Sequence, residues 1–279
     1  MIDSSDDPLG GFTDVTPISG GDISRAYRAV DRDGRVVFVK TREDPPPGMF
    51  EAEAASLRWL AETATVRVPE PLTWDETHLV LAWIEHGRST PTTDAELGTD
   101  LAGLHLAPAG RFGLAEPANL ATIPLDNTPT DTWPEFLRAR RLEPLVRLAV
   151  ERGAIDTDAT ATFDRLLDDV AEHCGPAEPP ARLHGDLWSG NVLVDAGGHP
   201  WLVDPSSYGG HREVDLAMLD LFGGLTSDIV DAYDERHPLA SGWRDRLAFN
   251  QLLPLLVHAV LFGGGYGARA ERIARHLAG

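Results

Sequence analysis

Apolar residues in the first part of the chain come in short runs separated by turn residues. From about Phe12 to Val39 the pattern reads as strands. A glycine-containing turn, Ile18 to Tyr27, lies between two β-like runs, and Asp31-Arg32-Asp33-Gly34 is a hairpin turn. The next run, Val36-Val37-Phe38-Val39, ends in Lys40. After the rigid Pro45-Pro46-Pro47-Gly48 the period changes. Phe50, Ala54, Leu57 and Leu60 recur at helical spacing and predict a helix from Met49. Thr77 to Ile84 reads as one more apolar strand.

Beyond Gly87 the pattern is mainly helical. It predicts helices over 95–106, 133–150 and 157–173, the last broken by Gly175-Pro176 and Pro179-Pro180. Further helices are expected over 216–222 and 245–262. The glycine-rich Gly263-Gly264-Gly265-Tyr266-Gly267 ends the latter, and a last helix follows. The expected class is α+β, with a β-rich part over residues 1–86 and a larger helical part over 87–279. No internal repeat or low-complexity segment interrupts it.

One polar stretch stands between the helical segments. His184-Gly185-Asp186-Leu187-Trp188-Ser189-Gly190-Asn191 leads into Val192-Leu193-Val194, and a short Gly-Gly connection leads to Trp201-Leu202-Val203-Asp204-Pro205. Two short apolar runs joined this way predict a hairpin, with Asn191 and Asp204 together at its open end. An Asp, four intervening residues and an Asn have the spacing of a kinase catalytic loop, where the Asp takes a hydroxyl proton and the Asn holds Mg²⁺. A second Asp after a further strand would be the other metal ligand. Mg²⁺ takes oxygen ligands and keeps waters, so Asn191, Asp204 and nucleotide phosphates would suffice.

Upstream residues acquire roles against this stretch. Lys40, at a strand end, matches a phosphate-binding lysine, with Glu53 as its expected ion-pair partner and Glu51 as the alternative. Gly20 and Gly21 could bring backbone N–H groups to phosphates. Backbone groups from Ala82 to Ile84 could face a nucleotide base. Asp215 is expected to cap a helix or to brace the catalytic loop. His105 and His258 read as packed or hydrogen-bonded core histidines. Arg138, Arg140, Arg141 and Arg147 read as a solvated helix face.

Charge and cysteine content narrow the partners. The 279 residues carry 24 Lys and Arg against 44 Asp and Glu, a formal charge of −20. That argues against nucleic acid or an anionic membrane and favours amine-bearing substrates. A single cysteine, Cys174, excludes an internal disulfide and suits a reducing cytoplasm. The first residues lack a signal-peptide pattern, and no apolar run is long enough to span a membrane.

Taken together, Lys40, Glu53, His184-Gly185-Asp186, Asn191 and Asp204 resemble the aminoglycoside-phosphotransferase and choline-kinase branch of the protein-kinase-like fold. Phe50 to Ala54, His184 to Asn191, Asp204-Pro205, Tyr208 to Met218 and Phe262 to Tyr266 resemble more closely the fructosamine kinase (ketosamine-3-kinase) family, from about residue 10 to the end. The resemblance implies a two-lobed fold with a small β-rich lobe and a larger helical lobe. It implies ATP and Mg²⁺ as cofactors and transfer of phosphate to the 3-hydroxyl of a free or protein-bound ketoamine, which frees the amine. Asp186 would be catalytic, Asn191 and Asp204 would hold the metal, and Lys40, Glu53, Gly20, Gly21, Ala82 and Ile84 would serve the nucleotide. Trp188 would stack on the sugar-amine or else be a buried packing residue. Many relatives have a cysteine in the glycine turn where this chain has Asp22, so a monomer or weak dimer without redox switching is expected. A kinase of another small hydroxyl compound and a non-catalytic nucleotide-binding protein are the competing readings.

Overall fold

The structure is a computed structural model that describes residues 11–18, 24–115, 118–120 and 122–279. The β-rich part is a five-stranded antiparallel sheet of β1 (Thr13–Ile18), β2 (Arg25–Val30), β3 (Val36–Thr41), β4 (Pro71–Trp74) and β5 (His78–Ala82), in the order β1-β2-β3-β5-β4. Its inner positions, among them Ala29, Val37, Val39 and Val80, are buried. Helix α1 (Met49–Ala61) lies on the sheet. The predicted face, Phe50, Ala54, Leu57 and Leu60, is the buried one, packed largely against Leu79 and Leu81. Pairing of β2 with β3 sets Ala26 opposite Lys40, and pairing of β3 with β5 sets Lys40 opposite Leu79. Lys40 therefore sits in the middle strand of the sheet.

The chain leaves the sheet through residues 85–87, which pair with the later hairpin: Gly87 N donates to Val194 O, and Ala196 N to Glu85 O. Helix α2 (Thr93–Leu106) follows, then a small ladder of β6 (Ala118–Leu120) and β7 (Ile123–Leu125). The expected helix over 133–150 is in three pieces: α3 (Trp133–Leu137), a π-helical turn at Arg138–Leu142, and α4 (Glu143–Glu151). The one over 157–173 is a 3₁₀ turn (Thr157–Ala159) with α5 (Thr160–Asp168) and α6 (Val170–His173). Strand β8 (Ala181–Leu183) then enters the polar stretch, and β9 (Val192–Val194) and β10 (Pro200–Leu202) form the predicted hairpin, Val192 opposite Leu202. Strand β11 (Tyr208–Gly210) returns to pair with β8.

Five helices complete the chain: α7 (Glu213–Leu221), α8 (Ser227–Arg236), α9 (Trp243–Asn250), α10 (Leu252–Phe262) and α11 (Gly265–Leu277). The single helix expected over 245–262 is divided at Gln251. Pro254 has no N–H for the carbonyl one turn earlier, so a continuous helix would lose a bond there. The largest core gathers α3, α4, α5, α10 and α11 around Phe136, Phe163, Leu255 and Leu256. A second joins α2 to α7 and α8 through Leu101, Leu104, Leu216 and Tyr233. No helix of the described residues is long and apolar enough to cross a membrane.

The arginine run departs from the expected solvated face. Arg147 is exposed, and Arg138 and Arg140 reach surface carboxylates, Asp168 and Asp126. Arg141, however, is fully buried. It lies in the π-helical turn, whose extra residue shifts the helical phase. Its guanidinium is packed between the faces of Phe136 and Tyr208, 4.5 and 4.3 Å from the ring centres. It donates to the Asp126 carbonyl and to Asn127 Oδ1.

Candidate active site

The segment between β8 and β9 is fixed by its backbone. Gly185 has φ +83°, and a side chain there would run into the Ser206 carbonyl, so the turn admits only glycine. Asp215, in the first turn of α7, accepts from His184 N at 2.7 Å and from Gly185 N at 3.0 Å. It is held in turn by His105 Nε2 at 3.2 Å, while His105 Nδ1 pairs with Tyr233 at 2.8 Å. These bonds keep the Asp215 carboxyl below its ordinary range although burial opposes them. The brace expected of Asp215 and the packed role expected of His105 are both present.

His184 is buried and bonded on both nitrogens. Asp186 N donates to Nδ1 at 3.3 Å, and Nε2 faces the Val203 carbonyl at 3.0 Å. An amide can only donate and a carbonyl only accept, so the neutral Nε2–H form satisfies both. Burial lowers the His184 pKa in agreement.

Asp186 faces Asn191 across the turn. Asn191 Nδ2 donates to the Asp186 carbonyl at 2.8 Å and to its carboxylate at 3.2 Å. Both bonds use the amide nitrogen, so the amide oxygen is left as a ligand atom. The Asp186 pKa is pushed up to about 7, first by burial and then by the neighbouring Asp204 charge, against the pull of Asn191 and Lys40. A carboxylate tuned close to neutrality is suited to taking a proton.

Asp204 stands at the open end of the β9–β10 hairpin, where Val203 N bonds Asn191 O at 3.0 Å. Its φ is +54°, a conformation Asp tolerates better than most residues and one that turns the side chain out of the strand direction. Lys40 Nζ lies 2.8 Å from Glu53 and 3.1 Å from Asp204. Burial would lower the Lys40 pKa, but the Asp204 and Glu53 charges override it and hold it above the ordinary value. The Glu53 carboxyl is pushed up to about 7 by burial and by Asp204, while partial desolvation of Asp204 is outweighed by the charge of Lys40, which holds its carboxyl below the ordinary range. Glu51, the alternative partner, is exposed. Lys40 is also the only lysine in the sequence; the other basic residues are 23 arginines (24 − 1).

A cavity of about 820 Å³ is lined by Lys40, Glu53, Ala82, Ile84, Asp186, Trp188, Asn191 and Asp204, which are all the described candidates. Ala82 is there with its N–H already given to Glu70 O, so its amide is not a donor toward the cavity. Gly20, Gly21 and Asp22 lie outside the described residues, though flanking Ile18 and Ser24 line the cavity. Trp188 is not a buried packing residue: it is 39% exposed, and its ring lies on Gly190, where a side chain would displace it.

Sequence reasoning missed part of this lining. His258 was expected in the core and does bond the Pro254 carbonyl at 2.8 Å, but it also lines the cavity with Phe222, Phe262 and Tyr266. The glycines after Phe262 hinted only at a helix end. The donor set at the hairpin mouth is all oxygen: the Asn191 amide oxygen and the Asp204 carboxylate, whose side chain is 44% exposed. No group of three or more His, Cys, Asp or Glu capable of holding a metal occurs among the described residues. Two protein oxygens suit a cation that shares its shell with phosphates and water, and do not suit one needing a full protein cage.

The family model described as fructosamine kinase matches residues 6–278. The "probable ketoamine kinase" of Enterococcus faecium is 37% identical over 94% of this chain and 95% of its own length. The ketosamine-3-kinase of Mus musculus is 32% identical over 94% of each chain. A Thermobifida fusca protein solved as a candidate fructosamine-3-kinase superposes with a TM-score of 0.88 at 39% identity, covering 95% of this chain and 93% of that one. An aminoglycoside phosphotransferase matches at TM-score 0.59 and 17% identity over 96% of this chain and 95% of its own, a likeness of fold alone. The two-part α+β architecture is therefore the protein-kinase-like fold.

Proposed function

This chain belongs to the fructosamine kinase family, and from that membership we propose that it transfers the γ-phosphoryl group of ATP to the 3-hydroxyl of a ketoamine. The observation that carries the reading is the meeting of the Asp186–Asn191 pair with the Lys40–Glu53–Asp204 cluster in one cavity. In this reading Asp186 is the catalytic residue. It orients the sugar hydroxyl and takes its proton as the new O–P bond forms and the bond to ADP breaks. Asn191 keeps the Asp186 carboxylate aimed and presents its amide oxygen to the phosphates' side.

Lys40 binds phosphate oxygens as a point charge, and Glu53 sets its position from α1. Asn191 and Asp204 would hold Mg²⁺, which when bound neutralises charge on the phosphates. Ala82 and Ile84 flank the base. Trp188 offers its ring to the sugar-amine. A 3-phosphate makes the adduct labile, so the product releases its amine and the reaction removes the sugar. A single thiol, buried at Cys174, suits a cytoplasmic setting.

The test is ATP consumption with Mg²⁺ against a fructosamine, a ribulosamine, an aminoglycoside, choline and no acceptor. Turnover of a ketoamine, with phosphate on O3 by NMR, is the expected result. Turnover only of the aminoglycoside or choline would discard the ketoamine role. ATP binding without any turnover would favour a non-catalytic protein.

A further inference from the structure

Five aromatic rings form one continuous wall of the cavity. Trp188 and Phe222 meet edge to face at 5.9 Å, Phe222 and His258 lie 5.0 Å apart, and His258 is 5.5 Å from Phe262 and 5.1 Å from Tyr266. All five line the same cavity as Asp186. A second, small cavity touches Asp186 and His258 together, so the wall begins beside the catalytic carboxylate. Core packing does not account for it: Phe262 is 49% exposed and Trp188 39%, large apolar groups left open at the cavity's edge.

The wall carries no cation. Among the described residues lining the cavity, Lys40 is the only Lys or Arg, and it is held between Glu53 and Asp204 at the phosphate end. Residues 1–10, 19–23, 116, 117 and 121 contain no Lys, Arg or His. His258 is kept neutral by burial, with one nitrogen given to the Pro254 carbonyl, so its ring contributes an accepting nitrogen and a π face.

Resting on the ketoamine reading above, we propose that this five-ring wall seats the protonated amine of the substrate and its apolar substituent, so that the enzyme selects ketoamines whose amine part bears no free carboxylate. In a ketoamine only the C1–C2–C3 chain separates the nitrogen from the reacting oxygen. With O3 at Asp186, the ammonium falls within reach of the rings beside it. Aromatic faces attract a cation through their quadrupole, most strongly where water is partly excluded. A carboxylate in the same place meets electron-rich faces and finds no cationic side chain among the described lining residues to pair with. The open edge at Phe262 and Trp188 lets a long or bulky amine part continue into solvent, as a lysine side chain of a protein would.

Two ketoamines built on one sugar, that turned over in the panel above, test this. One is made from benzylamine and one from glycine. The expected kcat/KM is at least about tenfold higher for the benzylamine adduct, carried by KM, the size of a partly desolvated cation–π contact with ring packing. Phe262→Arg, at an exposed position, should narrow that ratio by raising KM for the benzyl adduct and lowering it for the glycine adduct. Equal or reversed preference in the unmodified enzyme, or a ratio untouched by Phe262→Arg, overturns the inference and leaves the ketoamine reading standing. Failure to phosphorylate any ketoamine removes that reading, and the inference falls with it.

Discussion

Asn191 grips Asp186 twice through one nitrogen, at its main-chain carbonyl and at its carboxylate. The two residues are five apart, joined by a turn that includes the 3₁₀ segment Ser189–Asn191. The double bond fixes where the carboxylate points before any substrate arrives, and preorganisation of that kind is where a phosphoryl-transfer site gains most.

Asp186→Asn keeps the shape of this contact and removes the proton acceptor. The expected loss in kcat is about a thousandfold, within the range of a positioned general base. ATP affinity measured by calorimetry should change little. Turnover close to the unmodified enzyme would refute the assignment of Asp186.

Asp204→Ala should separate metal-dependent from metal-independent nucleotide binding. The Kd of Mg-ATP is expected to rise by at least about tenfold, ~1.4 kcal/mol, while the Kd of ATP with a chelator present changes much less. Identical affinities for Mg-ATP before and after the substitution would remove Asp204 from the metal site.

His184 predicts a pH dependence of stability. Its folded pKa lies below the ordinary histidine value, because burial disfavours the charged ring and outweighs the neighbouring Asp215 and Asp204 charges and the bond to the Val203 carbonyl. As pH falls below about 6.5 the unfolded chain takes up a proton that the folded one refuses, so stability is full above that pH and declines below it. The contribution is about 1.4 kcal/mol per pH unit until the folded ring titrates. Urea unfolding of His184→Asn between pH 7 and 5 should show a slope shallower by about one proton. Equal slopes would show that His184 titrates normally.

Arg141 is expected to matter for stability rather than for turnover. Arg141→Ala leaves a cavity between Phe136 and Tyr208 and strips the Asp126 carbonyl and Asn127 Oδ1 of their donor, a cost of about 3 kcal/mol. Arg141→Met refills the space and avoids burying a charge, so it should cost roughly half as much. Urea midpoints measure both, and an alanine variant as stable as the parent would mean that the guanidinium contributes nothing net.

The parts of this molecule that were legible beforehand depend on near neighbours in sequence. The strand carrying Lys40, the face of α1 and the hairpin between Asn191 and Asp204 each follow from a local period or turn. Arg141 was not legible, since its burial depends on Asp126, Asn127 and Tyr208, brought together only by tertiary packing. The division at Gln251 left a trace in Pro254, which a purely apolar reading of 245–262 passed over. The ring wall was obscured for another reason. Phe222 follows the end of α7, His258 and Phe262 belong to α10 and Tyr266 to α11, and each looks like ordinary core by itself.

Sugars attach to proteins chiefly at exposed, unprotonated amines. Lys40, the sole lysine of this chain, is buried between two carboxylates that keep it charged. The enzyme thus exposes no side-chain amine of its own on which an adduct could form. The sugars that create its substrates on the lysines of other molecules meet no lysine on its own surface, where arginine takes that place.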